Sequence, residues 1–169
     1  MNLSNNIFEK FFMNKISEKE LIDQIGVCSP QFEKILKEEM EDTILKKDGK
    51  RLGYLIYTLF LTEDSIDMNL YVDILNQLII CDWHKEHENI AMILQKIHSP
   101  SSVTYLKKAL YLNPEYLNWD DNYAFEVKCI WALGYIKNLE SKEVLELVSK
   151  ESNEILAQNA KKQLSSWYK

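Results

Sequence analysis

Phe125-Glu126-Val127-Lys128-Cys129-Ile130-Trp131-Ala132-Leu133-Gly134-Tyr135-Ile136 is the stretch whose reading decides the fold. Phe125, Cys129, Ala132, Leu133 and Ile136 recur at three- and four-residue intervals, which is one face of a helix. Small Cys129 and Ala132 on that face let a neighbouring helix approach closely. Thirty-one residues later the pattern returns in weaker form, with Leu156 at the Phe125 position, Ala160 at Cys129, Gln163 at Ala132 and Leu164 at Leu133. Between the two copies, Val144-Leu145-x-Leu147-Val148 predicts a shorter amphipathic helix with Ser141 as its N-cap. A fainter copy comes first: Ile90, Ile93, Leu94 and Ile97 match Cys129, Ala132, Leu133 and Ile136 at an offset of 39. It too is followed by a polar turn, Ser99-Pro100-Ser101, and by a helix carrying Val103, Leu106 and Leu110. Offsets of 31 and 39 bracket the periods of stacked helix-pair repeats.

Composition agrees with a helical chain. Among 169 residues there are four Gly and three Pro, so few positions are left for turns, and the expected class is all-α with about ten short helices. A chain of this length buries roughly two-thirds of its unfolded surface, so neither disulfide nor metal is needed as a staple. Cys28, Cys81 and Cys129 are odd in number, widely spaced and set among apolar residues, which predicts reduced core thiols. The net charge is −6 and Arg51 is the only arginine, which disfavours direct binding to a nucleic-acid backbone. The N-terminal residues lack the charged-then-apolar order of a signal peptide, and no window approaches a membrane span, so the expected location is cytoplasmic.

Outward from the repeats, the N-terminal half reads as further amphipathic helices. Ile7, Phe8, Phe11 and Phe12 form one stripe between Leu3 and Asn14. Ser17-Glu18-Lys19-Glu20 has the spacing of a capping box, and Gly26 ends the helix it opens. Ser29-Pro30 reads as a cap with proline at the first helical position. The helix that follows puts Phe32, Ile35, Leu36, Met40, Ile44 and Leu45 on one face and Glu33, Glu38, Glu39, Glu41 and Asp42 on the other. That second face is either a solvated surface or an acidic docking surface. Asp48-Gly49 is expected to end this helix, Leu52 to Leu61 to form a nearly all-apolar one, and Leu70, Ile74, Leu75, Leu78 and Ile79 to face a core. No Gly-, Pro- or Ser-rich linker interrupts the chain, so the expectation is a single domain over 1–169, irregular over 1–82 and more regular over 83–169.

Candidate chemistry is sparse. His84, His87 and Glu88 fall within about one helical turn, but a zincin site needs His at i and i+4 with Glu beside the first, so a structural pairing is expected and no metal or cofactor is assigned. No phosphate loop, nucleophile elbow or clustered cysteine pair is present in the sequence. The expectation is a protein without catalytic residues. The informative exception is the segment Asn113 to Tyr123, long for a helix junction, which mixes Tyr116, Trp119 and Tyr123 with Glu115, Asp120 and Asp121. Aromatic side chains anchor interfaces, and carboxylates steer a basic partner. In the competing reading, Tyr116 and Trp119 fold inward while Asp120 or Asn122 caps the next helix. Glu115, Tyr116, Trp119, Asp120, Asp121 and Tyr123, together with Glu38, Glu39, Glu41 and Asp42, are therefore the candidate partner-binding residues.

The ending Ala132-Leu133-Gly134-x-Ile136, a polar turn, and then Val144 to Val148 resembles the HEAT-like repeat, over about half the chain from Trp83 to Trp167. That resemblance implies a right-handed α-solenoid of helix pairs, a form that binds macromolecules along extended surfaces. More narrowly, Trp83-His84-Lys85-Glu86-His87-Glu88-Asn89-Ile90, then Ser99-Pro100, then Val127 to Gly134, resembles small bacterial HEAT-repeat immunity proteins of polymorphic and contact-dependent growth inhibition systems. This second resemblance implies a monomeric immunity protein that covers a cognate toxin domain, a nuclease of basic charge. The alternative is a HEAT-repeat adaptor or regulatory module for another cellular protein.

Overall fold

A computed structural model describes residues 3–168: ten α-helices joined by turns and short 3-10 segments, with no strand among the described residues. No described helix is long and apolar enough to cross a membrane. The chain gathers into two compact units, one ending at Leu70 and the other starting at Tyr71. The boundary lies inside a 3-10 turn, Met68–Tyr71, with no linker composition to announce it.

The first unit contains α1 (Asn5–Phe12), α2 (Glu18–Ile25), α3 (Phe32–Lys46) and α4 (Gly49–Thr62). Ile7 and Phe8 are buried, and the Phe8 ring stacks on Tyr54 of α4 at 5.0 Å between centroids. Ser17 and Glu20 form the capping box, with Ser17 N–H donating to the Glu20 carboxylate at 2.8 Å. Gly26 ends α2 in the left-handed region at φ 74°, where no Cβ penalty applies. Three boundary expectations are corrected. Ser29 does not cap α3 directly: its hydroxyl accepts from Gln31 N–H at 3.4 Å, its carbonyl accepts from Phe32 N–H, and the helix begins at Phe32. Lys47, at φ 50°, closes α3, while Asp48 opens α4 by accepting the Arg51 N–H at 2.9 Å. Leu45 is 84 % exposed and Thr43 is buried in its stead, because the inward stripe runs 32, 36, 40, 43 and position 45 lies two residues round the helix from it. The Thr43 hydroxyl is satisfied by donating to the Met40 carbonyl at 2.7 Å.

The second unit contains α5 (Val72–Leu78), α6 (His87–Ile97), α7 (Val103–Ala109), α8 (Ala124–Ile136), α9 (Leu139–Val148) and α10 (Glu154–Ser165). Helix α8 is its centre, packing against α6 and α10 and also against α7 and α9. Phe125, Cys129, Ile130, Ala132 and Leu133 are fully buried there. Gly134 sets the α8–α10 spacing: a Cβ at that position would lie 2.3 Å from Gln163 Oε1 and 2.7 Å from Gln163 Cγ. Asn138, not Ser141, caps α9. Its Oδ1 accepts from Ser141 N–H at 2.7 Å while Ser141 Oγ accepts from Asn138 N–H, so Ser141 is the third residue of a reciprocal capping box. Of the three cysteines only Cys129 is a core thiol; Cys28 is exposed and Cys81 half-buried, donating to the Gln77 carbonyl.

Candidate functional site

The segment 113–123 leaves α7 and turns back into α8 through a 3-10 turn, Glu115–Leu117, which Pro114 opens. Its anchor is a pair of buried histidines at the α5–α6 junction. His87 Nε2 lies 2.6 Å from the Cys81 carbonyl, so that nitrogen carries the proton; Nδ1 then accepts from the Tyr116 hydroxyl at 3.0 Å. His84 likewise donates from Nε2 to the Leu78 carbonyl at 2.8 Å and accepts the Glu86 N–H on Nδ1. The two imidazoles stack at 4.4 Å between centroids. Burial is the main cause that pushes His84 down to about 4 and His87 below its ordinary value, and both remain neutral near pH 7. All four ring nitrogens are thus engaged by the protein, which makes the pair a structural knot. Glu88, the acidic member of the motif, pairs with Lys128 of α8. Among the described residues no group of three or more His, Cys, Asp or Glu side chains could hold a metal ion.

Tyr116 is therefore a half-buried strut, and burial pushes its phenol up to about 12. Trp119 is the opposite: its side chain is 78 % exposed, yet its indole N–H donates to the Tyr116 carbonyl at 2.8 Å, which fixes the ring in place. Asp120 caps α8 from outside the helix, accepting Asn122 N–H at 3.0 Å and Ala124 N–H at 2.8 Å. This duty fixes the carboxylate in place while its charge remains. Asp121 and Glu115 are exposed, and Tyr123, itself 38 % exposed, adopts a left-handed φ of 55° at the head of α8.

Behind this surface lies a cleft of about 170 Å³, walled by Leu117, Asn118, Asp120, Asp121, Tyr123 and Glu126. Glu126 is the residue that sequence reasoning missed. It is 8 % exposed, and burial first, then the charges of Asp120 and Glu88, raise its carboxyl above the ordinary range. A signal was present: Glu126 shares a helical face with Ile130 and Leu133 at i, i+4 and i+7, an odd place for a carboxylate in an otherwise apolar helix. Farther along α8, a second concavity of about 580 Å³ is walled by His98, Trp131, Tyr135, Lys137 and Lys162 among others. There the Lys162 ammonium sits 4.9 Å from the Trp131 ring centre.

The other candidate set belongs to the first unit. Glu39 binds Arg51 Nη2 at 2.7 Å, and the same guanidinium reaches the Leu3 carbonyl and Asn5 Oδ1. Asp42 pairs with Lys46 at 2.7 Å and Glu38 with Lys34 at 3.8 Å, each one turn apart on α3. Glu41 is exposed. Glu33 accepts the Asp67 N–H.

Comparison with known families, curated proteins and solved structures finds no match to this chain. The site must therefore be read from its own geometry, which offers a held, exposed aromatic ring, an acidic cleft and a buried carboxylate that no cation pairs with among the described residues.

Proposed function

We propose that this protein acts by binding another protein, as an immunity protein that neutralises a cognate bacterial toxin domain, a basic nuclease, and that it carries out no reaction of its own. The carrying observation is Trp119, an exposed indole fastened by its own N–H, in a segment whose Asn118, Asp120 and Asp121 line an acidic cleft. A large apolar ring left in water is unfavourable, and one already ordered loses little entropy when a partner covers it. Tryptophans so placed are frequent hot spots, worth about 2 kcal/mol or more. The acidic cleft complements a basic partner and would raise its association rate. In the same reading the helices of the second unit are HEAT-like pairs of a right-handed α-solenoid; α6 and α10 flanking α8, and α7 in contact with α9, support it.

The test pairs the purified protein with the C-terminal domain of whatever polypeptide is encoded directly upstream of it. A stoichiometric complex and loss of nuclease activity are expected, and Trp119→Ala should weaken binding at least about tenfold through faster dissociation while leaving the melting temperature unchanged. Failure to form a complex overturns the immunity reading. A complex indifferent to Trp119→Ala moves the interface elsewhere.

A further inference from the structure

Glu126 occupies the first turn of α8, nine-tenths buried, is one of the residues lining the 170 Å³ cleft, and its own backbone N–H is the group that favours its charged form. Among the described residues no Lys, Arg or His side chain pairs with it, and the charges that act on it, Asp120 and Glu88, are both negative. Lys128, two residues further on, is taken up by Glu88. Asp120 spends its oxygens on backbone N–H groups at the head of α8. A buried carboxylate without a counter-cation is unfavourable, and the deficit is removed when an outside cation arrives. The raised carboxyl pKa is the same deficit seen as a proton equilibrium.

We infer that the cleft is a receptor for one arginine side chain of a protein partner, its guanidinium against Glu126, with Asp121 and Tyr123 lining the same cleft. The inference rests on the protein-binding reading of this face and names the chemistry that the face selects. At about 170 Å³ the cleft is well below the ~300–1,000 Å³ of small-molecule pockets, which suits a single side chain. Arginine fits better than lysine because its planar fork binds a carboxylate through two N–H groups, stacks on an aromatic ring and gives up less hydration on entering a cleft. Trp119, between the lining residues Asn118 and Asp120 in the chain, would then contribute to the rim that keeps water from the inserted side chain.

The experiment needs no toxin, so it can fail while the immunity reading stands, and the reverse. The peptide Ac-Gly-Arg-Gly-NH2 is titrated into the protein at fixed ionic strength, and the Glu126 side-chain carboxyl carbon and the Trp119 indole N–H are followed by NMR. Its citrulline analogue, of the same shape without the charge, is the control. Saturable shifts of both signals are expected with the arginyl peptide only, and the Glu126 pKa should fall as the cation stabilises the charged form. Glu126→Gln should reduce the response at least about tenfold while the helical circular dichroism spectrum is kept. Equal shifts with the citrulline peptide, no saturable shift with the arginyl peptide, or an undiminished response in Glu126→Gln each overturn the proposal. Should Glu126→Gln fail to fold, the two peptides compared on the unaltered chain decide the matter.

Discussion

The α3 face and the 113–126 region carry similar densities of carboxylate in the sequence and put them to different uses. On α3, Glu39 is matched by Arg51, Asp42 by Lys46 and Glu38 by Lys34. In the other region Asp120 accepts backbone N–H groups, while Glu126 is buried with no cation paired to it among the described residues. A count of acidic residues would rank the two as equals. What distinguishes them is that three of the α3 carboxylates have counter-ions within the chain, whereas the second region holds a buried carboxylate that no described cation pairs with.

The sharpest way to break this contrast is Arg51→Ala. The Arg51 side chain is 11 % exposed and ties Glu39 to the Leu3 carbonyl and Asn5. Its loss should lower unfolding stability in urea by about 2 to 3 kcal/mol. An unchanged denaturation midpoint would mean that Glu39 is available for docking after all. Acid should next loosen the support of the 113–126 region. His84 binds its proton in the unfolded chain near pH 6.5 and in the folded chain only near about 4, so its contribution is complete above pH 6.5 and declines as pH falls toward 4. Between pH 7 and pH 5 this amounts to about 2 kcal/mol, with His87 acting in the same direction. Urea midpoints should therefore fall over that range and should fall less in His84→Gln. The smallest effect separates two adjacent carboxylates. Asp120→Ala should cost about 1 kcal/mol, as the loss of a helix cap does, whereas Asp121→Asn should stay within about 0.5 kcal/mol in thermal unfolding. Equal losses would show that Asp120 is no cap.

Much of the fold was legible because helical periodicity is written in side-chain size. Phe125, Cys129, Ala132 and Leu133 are buried as their spacing required, and the Ser17–Glu20 box forms as written. Boundaries were less legible where two residues could serve the same role: Asn138 and Ser141 both can cap, and the backbone geometry chose Asn138. The divide at Leu70 left no mark, since no flexible composition accompanies it. For the candidate site, residue types pointed to the right segment but not to their duties. Tyr116 turned inward because His87, twenty-nine positions away in the chain, offers it an acceptor, and local pattern contains nothing of such a contact. Glu126 was overlooked because it was read as one member of an apolar helix.

The corners of this chain are made with almost no glycine. Asn14, Lys47, His98, Asn113, Tyr123 and Lys137 all stand at positive φ, and Gly26 is the one glycine among the described residues that does so. At the non-Asn positions among them, each residue holds roughly 1 to 2 kcal/mol that a glycine would release. His98 and Lys137 are also walls of the second concavity. Glycine at either corner would tighten the protein and erase part of that surface in one step, so thermal hardening of this chain and retention of its surface chemistry pull in opposite directions at the same two positions.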